Sequence, residues 1–373
     1  MNDHLSAKIK IAYVLPSLDM GGAERFIVDL ILNLDREIFA PHLFLFKRGG
    51  GWAAELTAEN IPVTILKKRA KFDPVNFYAL YSALRRFQPT IVHTELGGDL
   101  YGRLIGEILR SPIILTTEQN VNPDESFLNN LFKRVLSRSA DKIVAISGAV
   151  KDDLIKRYNI DPAQIKLIFN GLEIDKFLNP AKDRTILRDN SEIIFGTLGR
   201  LAPQKGQSVL IEAWSKISRP GLRCLIGGEG KLAMALDKQI KAAALTDRVK
   251  LIGPVADTSA YFNSLDVFVL PSIWEGLGNV LLEAGLSGLP IIASDVDGIK
   301  EIIDETTGWL VPAGNASALA EKIDWLAANL HSPLVKAKTQ TLREKIIANF
   351  DIKIIALAYQ SLYRELLASK KPL

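Results

Sequence analysis

Short apolar runs rich in β-branched residues alternate with longer helical patterns along the chain. The runs fall at residues 9–16, 42–47, 63–66, 90–94, 113–118, 142–147 and 165–171 in the first half, and at 193–200, 223–228, 249–253, 267–272, 291–295 and 309–312 in the second. Unbroken apolar strands separated by helices indicate parallel sheets that are covered on both faces. Each half holds enough strands for its own doubly wound sheet, so we predict an α/β protein with two Rossmann-like domains.

A polar, charged segment without clear periodicity, residues 178–192, separates the two halves. A chain of 373 residues is too long for one ordinary core. We predict a first domain at 1–185 and a second at 186–351. The tail at 352–373, which we assign to the first domain, has no strand of its own and predicts an amphipathic helix that packs across both domains. Its apolar residues at near-helical spacing are Ile355, Leu357, Tyr359, Leu362, Leu366 and Leu367.

The composition is that of a soluble globular protein, with 48% apolar and 24% charged residues. The net charge of +4 is only mildly basic, and we expect no nucleic-acid partner. The single cysteine, Cys224, rules out an internal disulfide and fits a reducing compartment. The first residues lack the apolar stretch of a signal peptide, and no run approaches the ~20 apolar residues of a membrane-spanning helix. We therefore expect a cytoplasmic protein.

The loop after the first strand contains Gly21 and Gly22, which open a helix. Two doubly wound domains are expected to face each other across a cleft, with ligands beyond the carboxyl ends of the strands. A glycine pair there lets the backbone approach a phosphate or a sugar closely, with N–H groups directed at it. A simple flexible turn explains the pair equally well.

Polar side chains cluster after the fourth and fifth predicted strands. We expect His93 at the carboxyl end of the fourth strand, followed by Glu95, and the fifth strand leads to Glu118, Gln119 and Asn120. A histidine inside a strand is usually structural, but at the cleft end of a strand a ligand contact is the better interpretation. The whole group suits a hydroxyl-rich substrate.

In the second half, Arg200 and Lys205 lie around a Gly/Pro loop that enters a helix. An arginine fork, a lysine point charge and a helix N-terminus together match a diphosphate. Solvated surface charge is the competing interpretation, and the position beside glycines at a sheet edge favours the phosphate. Neither this loop nor the glycine-rich segment 226–232 fits a Walker loop or a dinucleotide fingerprint.

The stretch PSIWEGLGNVLLEAG at 271–285 places Glu275 on a loop and Glu283 about one turn inside a helix. Between them, Gly276 and Gly278 provide N–H groups at a helix N-terminus, which favours an anion. Carboxylates beside a phosphate are tolerated when they accept hydrogen bonds from hydroxyls of the same ligand. A ligand with a diol at each end and a diphosphate between them is a nucleotide sugar. Complementing the helix dipole would explain Glu275 but not Glu283.

Asp295 and Asp297 form an Asp-x-Asp triplet after a strand, a pattern that can hold a divalent cation. The Asp297-Gly298 pair is typical of a turn, and we favour the turn over a metal site.

These segments together resemble a retaining glycosyltransferase of the large family-four group, which has the two-Rossmann-domain GT-B fold. The E-x7-E pattern from Glu275 to Glu283, with GR and KG upstream, is specific in combination. The resemblance implies a C-terminal helix that crosses back to the first domain. The matching pieces span nearly the whole chain and are GGAERFIVDL, IVHTEL, TTEQN, IVAISGAV, KLIFNGLEIDKF, GRLAPQKG, GGEG and PSIWEGLGNVLLEAGLSGLPIIASDVDGIKEII.

The resemblance also implies roles for individual residues. Glu283 would bind the ribose hydroxyls of the nucleotide, and Glu275 would contact the transferred sugar. Arg200 and Lys205 would hold the diphosphate and the charge that develops on the leaving group, and His93 would lie near the reacting sugar. The remaining donor-site positions are Val255, beside the base, and the backbone amides of Gly21, Gly22, Gly276, Leu277, Gly278 and Asn279.

Three positions depart from the family pattern. Relatives often carry a second histidine where this chain has Glu95, a histidine where it has Gln119, and Gly-Gly where it has Asp297-Gly298. These positions lie on the acceptor and sugar side, as do Glu118 and Asn120. These departures leave the identity of the acceptor and of the sugar open, but they do not affect the expected reaction class.

The expected function is transfer of a sugar from a UDP- or GDP-sugar to an acceptor hydroxyl with retention of anomeric configuration. Cell-surface polysaccharide, lipopolysaccharide or glycolipid synthesis is the expected setting, with a carbohydrate or lipid-linked acceptor. Stabilisation of the leaving group by Arg200 and Lys205 replaces a metal, and no cofactor is expected because the donor is a substrate. A nucleotide-sugar 2-epimerase of the same fold is the first alternative, and a non-enzymatic sugar-binding protein is the more distant one.

Two basic segments raise the question of peripheral contact with an anionic membrane at its inner face. Segment 128–139 combines an apolar and a cationic face, which suits a lipid surface. Ordinary solvated helix surface is an equal interpretation. The other segment spans residues 67–86, and its one acidic residue is Asp73. Its basic residues are Lys67, Lys68, Arg69, Lys71, Arg85 and Arg86.

Overall fold

The computed structural model describes residues 8–18, 21–47, 49–66, 73–95, 99–121, 127–178 and 192–370. The chain divides into two units, one formed by Met1–Gly171 with Ile352–Leu373 and the other by Leu172–Asp351. The domain boundary expected at 185/186 lies outside the described residues, as do Lys67, Lys68, Arg69 and Lys71 of the basic segment.

The first unit is built around one parallel sheet. Its elements within residues 1–171 are β1 (Ile9–Leu15), α1 (Gly22–Leu32), β2 (Phe39–Leu45), α2 (Gly50–Ala58), β3 (Val63–Ile65), α3 (Pro74–Phe87), β4 (Ile91–Glu95), α4 (Asp99–Ile108), β5 (Ile113–Glu118), α5 (Phe127–Ser137), β6 (Lys142–Ala145), α6 (Gly148–Tyr158) and β7 (Ile165–Leu167). The seven strands pair in the order β3-β2-β1-β4-β5-β6-β7, and every pair is parallel.

The second unit has a parallel sheet of six strands. Its elements are α7 (Asp175–Leu178), β8 (Ile193–Leu198), a 3-10 turn (Pro203–Lys205), α8 (Gln207–Ser215), β9 (Leu222–Gly227), α9 (Ala233–Ala242), β10 (Val249–Gly253), α10 (Thr258–Asn263), β11 (Val267–Leu270), α11 (Asn279–Leu286), β12 (Ile291–Ser294), α12 (Asp297–Lys300), β13 (Trp309–Val311), α13 (Ala316–Asn329) and α14 (Pro333–Asn349). The strand order is β10-β9-β8-β11-β12-β13.

Both sheets have the doubly wound form that the apolar runs predict. The inner strands β4, β11 and β12 are buried at every residue, as expected for strands covered on both faces. In each sheet the strand order reverses once, between β1 and β4 in the first unit and between β8 and β11 in the second. Ligands of open α/β sheets bind at such switch points, beyond the carboxyl ends of the strands.

Local sequence signals set several helix ends. The Asp73 side chain accepts a hydrogen bond from Asn76 N at 3.0 Å, and Pro74 occupies the first position of α3, where a missing N–H costs nothing. Ser147 caps α6 in the same way, accepting from Val150 N at 3.1 Å. These caps satisfy amides that a helix N-terminus leaves without an internal partner.

The last helix, α15 (Ile352–Ser369), belongs to the first unit. Its buried side chains Ile355, Tyr359, Leu362 and Leu366 join the core formed with β1, β2 and α1. Leu357, predicted on the apolar face, is instead 63% exposed. It lies two residues from Ile355, roughly half a helical turn away, and therefore points to the opposite face.

Within the described ranges, no helix combines the length and the apolar character needed to cross a membrane.

Candidate active site

The switch point of the second sheet brings two predicted loops together. Arg200 follows β8 and is exposed, and the loop that carries Glu275 follows β11, the neighbouring strand. Lys205 ends the 3-10 turn at Pro203–Lys205, before α8. The predicted diphosphate residues and the predicted sugar residue thus share one edge of one sheet.

Lys205 and Glu275 form an ion pair at this edge. The Lys205 Nζ lies 2.5 Å from Glu275 Oε1, and the hydroxyl of the buried Ser272 donates to the same oxygen at 2.7 Å. The Glu275 side chain is only 4% exposed, so its charge needs these partners. The sequence analysis did not single out Ser272, although its position two residues after β11 and three residues before Glu275 marks it as a residue of the same loop.

The helix α11 begins at Asn279, directly after the predicted glycine loop. Gly278, its N-cap, adopts a φ of 79°, a conformation that a residue with a Cβ rarely takes. Leu277 is buried and anchors the loop, while Gly276 precedes it. Glu283 lies half-buried about one turn inside the helix, as predicted from the spacing. The N-terminus of α11 favours an anion by its dipole.

Val255 lies after β10 in the same unit and is half-buried. A Cβ added at Gly227, at the end of β9, would lie 2.9 Å from Val255 Cγ2. Val255 is therefore packed closely against the carboxyl end of β9, one strand away from Arg200.

In the first unit, Gly21 and Gly22 open α1 as predicted. Gly21 is the extended N-cap, with a φ of −160°, and Gly22 is the first helical residue. Glu24 follows within the first turn, where its negative charge complements the helix dipole.

Glu95 and Gln119, predicted on the acceptor side, are brought together at the carboxyl ends of β4 and β5. Gln119 Nε2 donates to Glu95 Oε2 at 3.3 Å, and Asn170 Nδ2 donates to Gln119 Oε1 at 2.8 Å. All three side chains are buried. Asn170, which the sequence analysis did not predict, fixes which end of the Gln119 amide donates and which accepts.

His93 occupies the middle of β4, not its end, and is fully buried. Its Nδ1 lies 2.8 Å from the Tyr363 hydroxyl and its Nε2 lies 2.8 Å from Thr117 Oγ1. Burial lowers the pKa of His93 to about 3, which keeps the ring neutral. A sugar contact would have to displace Tyr363 or Thr117, so the predicted role beside the sugar competes with a structural one. The sequence could not show this, because Tyr363 comes from α15.

The two remaining acceptor-side predictions have different environments. Glu118 lies between two cations, with its oxygens 3.7 Å from Arg103 Nη2 and 3.5 Å from Lys133 Nζ. Asn120 is exposed. The structure thus joins Glu95 to Gln119 but gives Glu118 cationic partners of its own.

The Asp295-x-Asp297 triplet is exposed and shares one cation. Lys300 Nζ lies 2.9 Å from Asp295 and 3.5 Å from Asp297, which begins α12. Among the described residues, no group of three or more His, Cys, Asp or Glu side chains is placed to hold a metal ion. Cys224 is buried in β9, and burial raises the pKa of its thiol.

Two family models match the chain. The model described as Glycosyltransferase Family 4 matches residues 20–176, and the model described as Glycosyl transferases group 1 matches residues 192–329. Together they cover most of both units, including the Arg200, Lys205 and Glu275 edge.

Individual proteins also resemble this chain, some in sequence and some in fold. An Escherichia coli UDP-Gal:alpha-D-GlcNAc-diphosphoundecaprenol alpha-1,3-galactosyltransferase is 25% identical, over 98% of this chain and 99% of its own. A Campylobacter jejuni N-acetylgalactosamine-N,N'-diacetylbacillosaminyl-diphospho-undecaprenol 4-alpha-N-acetylgalactosaminyltransferase is 26% identical, over 83% of this chain and 88% of its own. The crystal structure of Anabaena Alr3699/HepE with UDP and glucose superposes with a TM-score of 0.86 at 22% identity, over 96% of this chain and 100% of its own. The chain belongs to family 4 of the glycosyltransferases and has their GT-B fold.

Proposed function

We propose that this glycosyltransferase transfers a sugar from a UDP- or GDP-sugar to an acceptor hydroxyl with retention of anomeric configuration. The observation that carries the proposal is the Lys205–Glu275 pair, beside Arg200 at the switch point of the second sheet. Two cations and the N-terminus of α11 suit a diphosphate, while the carboxylates of Glu275 and Glu283 suit hydroxyls on either side of it.

In the proposed step, the bond between the anomeric carbon and the terminal diphosphate oxygen breaks, and the acceptor oxygen forms a new bond to the same carbon. The acceptor proton passes to the departing phosphate oxygen, so the products are the glycoside and a nucleoside diphosphate. Attack from the face that the leaving group vacates retains the configuration without a covalent enzyme intermediate.

Arg200 and Lys205 supply the charge stabilisation for this step. Negative charge grows on the diphosphate as the bond breaks, and fixed cations act most strongly where charge develops. We propose that they make a divalent metal unnecessary, and that the donor, as a substrate, is the only small molecule besides the acceptor. EDTA should leave turnover unchanged; loss of activity that manganese restores would contradict this part.

UDP-sugars and lipid-linked acceptors are the first substrates to test. The name of the E. coli relative contains a UDP-linked galactose and an undecaprenol diphosphate acceptor, and the Anabaena structure contains UDP. We therefore place this protein in cell-envelope polysaccharide or glycolipid synthesis, and GDP-sugars form the second panel.

We also propose peripheral contact between the first unit and the cytoplasmic face of an anionic membrane. On α5, the exposed Leu131 and Val135 lie four residues apart, and the exposed Arg134 and Arg138 follow the same spacing at and just beyond the end of that helix. The sequence of α5 contains no acidic residue. Apolar side chains flanked by arginines are typical of a helix that rests on anionic lipid.

A second helix of the first unit shows a similar surface. On α3, Val75 and Tyr78 are 79% and 69% exposed, and the exposed Arg85 and Arg86 lie in its last turn. The sequence of α3 is also free of acidic residues. A lipid-linked acceptor would make such contact useful, because it keeps the enzyme where the acceptor is.

A thermal-shift screen followed by product analysis tests the proposal. We expect nucleoside diphosphates to raise the melting temperature, and one nucleotide sugar to yield a glycoside whose anomeric configuration, read by NMR, matches that of the donor. The donor incubated without acceptor is the control, since a new nucleotide sugar in that sample would indicate an epimerase. An inverted product, or no stabilisation by any nucleotide, would contradict the proposal.

A further inference from the structure

Gln204 connects the loop that carries Arg200 to the loop that carries Glu275. Its side chain Nε2 donates to the Trp274 carbonyl oxygen at 3.1 Å, and its Oε1 accepts from Arg200 Nη2 at 3.4 Å. Its own carbonyl oxygen accepts from Ile273 N at 2.7 Å. Gln204 is 9% exposed, so few waters can substitute for these bonds.

The backbone holds the same two loops in close contact. Gly206 has a φ of 62°, and a Cβ at this position would collide with the carbonyl oxygen of Pro271. Gln207 Nε2 donates to the Arg200 carbonyl oxygen at 3.0 Å, which fixes the start of the first loop. With both backbones fixed, the Gln204 amide has one orientation that satisfies both of its ends.

We propose that Gln204 is a positioning residue that couples the diphosphate side of the donor site to its sugar side. The inference rests on the proposed function, in which Arg200 binds the diphosphate and Glu275 binds the sugar. The amide oxygen of Gln204 accepts from Arg200, and the amide nitrogen donates to the carbonyl of Trp274, the residue before Glu275. A shift of the Arg200 guanidinium that turns the amide therefore also disturbs the hydrogen bond to Trp274. Binding at either side therefore stabilises the arrangement that the other side needs.

The chemistry of the amide suggests a sharp substitution. Gln204→Glu keeps an acceptor for Arg200 but replaces the N–H donor with an oxygen that faces the Trp274 carbonyl. The Arg200 contact survives, while the loop before Glu275 loses a buried hydrogen bond and gains a repulsion. Gln239→Glu is the matched control, because Gln239 Nε2 also donates to a backbone carbonyl, that of Ser208 at 2.9 Å, in the same unit.

The measurement is the ratio of two affinities, for the nucleotide sugar and for the bare nucleoside diphosphate, by calorimetry. We expect Gln204→Glu to weaken binding of the nucleotide sugar by about tenfold more than binding of the bare diphosphate, as the loss of one buried hydrogen bond implies. Gln239→Glu should leave the ratio at its wild-type value. A purely structural role would weaken both ligands by one factor and leave the ratio unchanged, which would overturn the inference.

A cycle with Arg200→Ala completes the test. In the wild-type background, Arg200→Ala should weaken the bare diphosphate and also lower the ratio, because the coupling is broken at its other end. In the Gln204→Glu background, Arg200→Ala should lower the ratio no further, whereas additive effects would overturn the coupling. Wild-type protein that binds no nucleotide would overturn the proposed function and the coupling together. Unchanged ratios in a nucleotide-binding protein would overturn the coupling alone.

Discussion

The Lys205 ammonium contacts the same carboxylate oxygen of Glu275 that accepts the Ser272 hydroxyl, at 2.5 and 2.7 Å. The pair joins residues 70 positions apart, one before α8 and one before α11. Lys205 and Ser272 both donate to Oε1 of Glu275, and among the described residues no hydrogen bond to its Oε2 occurs. We infer that Oε2 is the oxygen available to a ligand hydroxyl.

Arg200→Ala should separate catalysis from stability. Arg200 is exposed, and within the described part of the chain its one side-chain hydrogen bond is the 3.4 Å contact with Gln204, so the melting temperature should change little. Turnover should fall by about 100-fold or more, since the variant loses a cation at the developing charge. Steady-state kinetics with the identified donor measures this. Arg219→Ala, an exposed arginine of the same unit that pairs with Asp324, is the control, and near-normal turnover for Arg200→Ala would contradict the role.

Lys205→Ala should also lower turnover by about 100-fold, but with a loss of stability. Removal of Lys205 leaves the Ser272 hydroxyl as the one side-chain partner of the buried Glu275 carboxylate among the residues that the structure describes, and a buried charge without its counter-ion is costly. The double variant Lys205→Ala/Glu275→Gln should regain melting temperature without regaining turnover. A stable but inactive single variant would show that the ion pair contributes little to folding.

Glu275→Gln and Glu283→Gln should affect different ligands. Glu283→Gln should weaken binding of the bare nucleoside diphosphate, because this carboxylate is proposed to bind the ribose hydroxyls. Glu275→Gln should weaken binding of the nucleotide sugar more than binding of the bare diphosphate, because its carboxylate is proposed to contact the transferred sugar. Calorimetry with both ligands distinguishes them, with the exposed Glu212→Gln of α8 as control. Equal effects of both variants on both ligands would contradict the division of roles.

The sequence suggested individual residues for this site but not how they are arranged. Glu275 and Lys205 were each assigned a contact with the donor, yet spacing along the chain could not show that they contact each other, because the pair depends on β8 and β11 being neighbours. Ser272 and Gln204 were missed because serine and glutamine beside a glycine loop are common. The strands were predictable, since a buried parallel strand leaves an unbroken apolar run.

The environment of His93 could not be predicted from the sequence. Its place in an apolar strand was readable, but its burial depends on Tyr363 and Tyr359, from a helix at the far end of the sequence. No local pattern around His93 carries that information. The same holds for Asn170, whose bond to Gln119 spans 51 residues.

Two histidines of the first sheet, the buried His93 and the half-buried His42, should make the protein sensitive to acid. Burial lowers the pKa of His93 to about 3 and that of His42 to about 4. In the unfolded chain both bind protons near pH 6.5, so stability is complete above that pH and falls as the pH drops toward the folded-state values. His93→Gln should reduce the loss in free energy of unfolding between pH 7 and pH 5 by about 2 kcal/mol. Denaturant titrations at both pH values measure this, and an unchanged loss would contradict the burial of His93.

Tyr363→Phe should destabilise the first unit. The Tyr363 hydroxyl lies 2.8 Å from the Tyr13 hydroxyl and 2.8 Å from His93 Nδ1, and all three groups are fully buried. Its removal leaves two buried polar groups with one partner fewer, at a cost of about 1–3 kcal/mol. Chemical denaturation measures the loss. Tyr78→Phe, on an exposed part of α3, is the control, and equal stability of the two variants would contradict the network.

Membrane contact should depend on both charge and apolar surface. Wild-type protein should float with vesicles that contain an anionic phospholipid at low salt and less at high salt. Arg134→Ser/Arg138→Ser should bind weakly at both salt concentrations, and Leu131→Ser/Val135→Ser should bind weakly but keep the salt dependence. Met234→Ser, 86% exposed in the second unit, is the control. Wild-type protein that stays at the bottom of the gradient would refute the contact.

The packing of α15 into the first unit has a consequence for synthesis of the chain. Residues 172–351 form one continuous unit, whereas the first unit needs Ile355, Tyr359, Leu362 and Leu366 to fill its core. During translation, the second unit is therefore the first whose residues have all left the ribosome. The sheet of the first unit must wait with an open apolar face until α15 has also been synthesised. That interval is when chaperones have the most surface to bind, and when a truncated product would be recognised as incomplete.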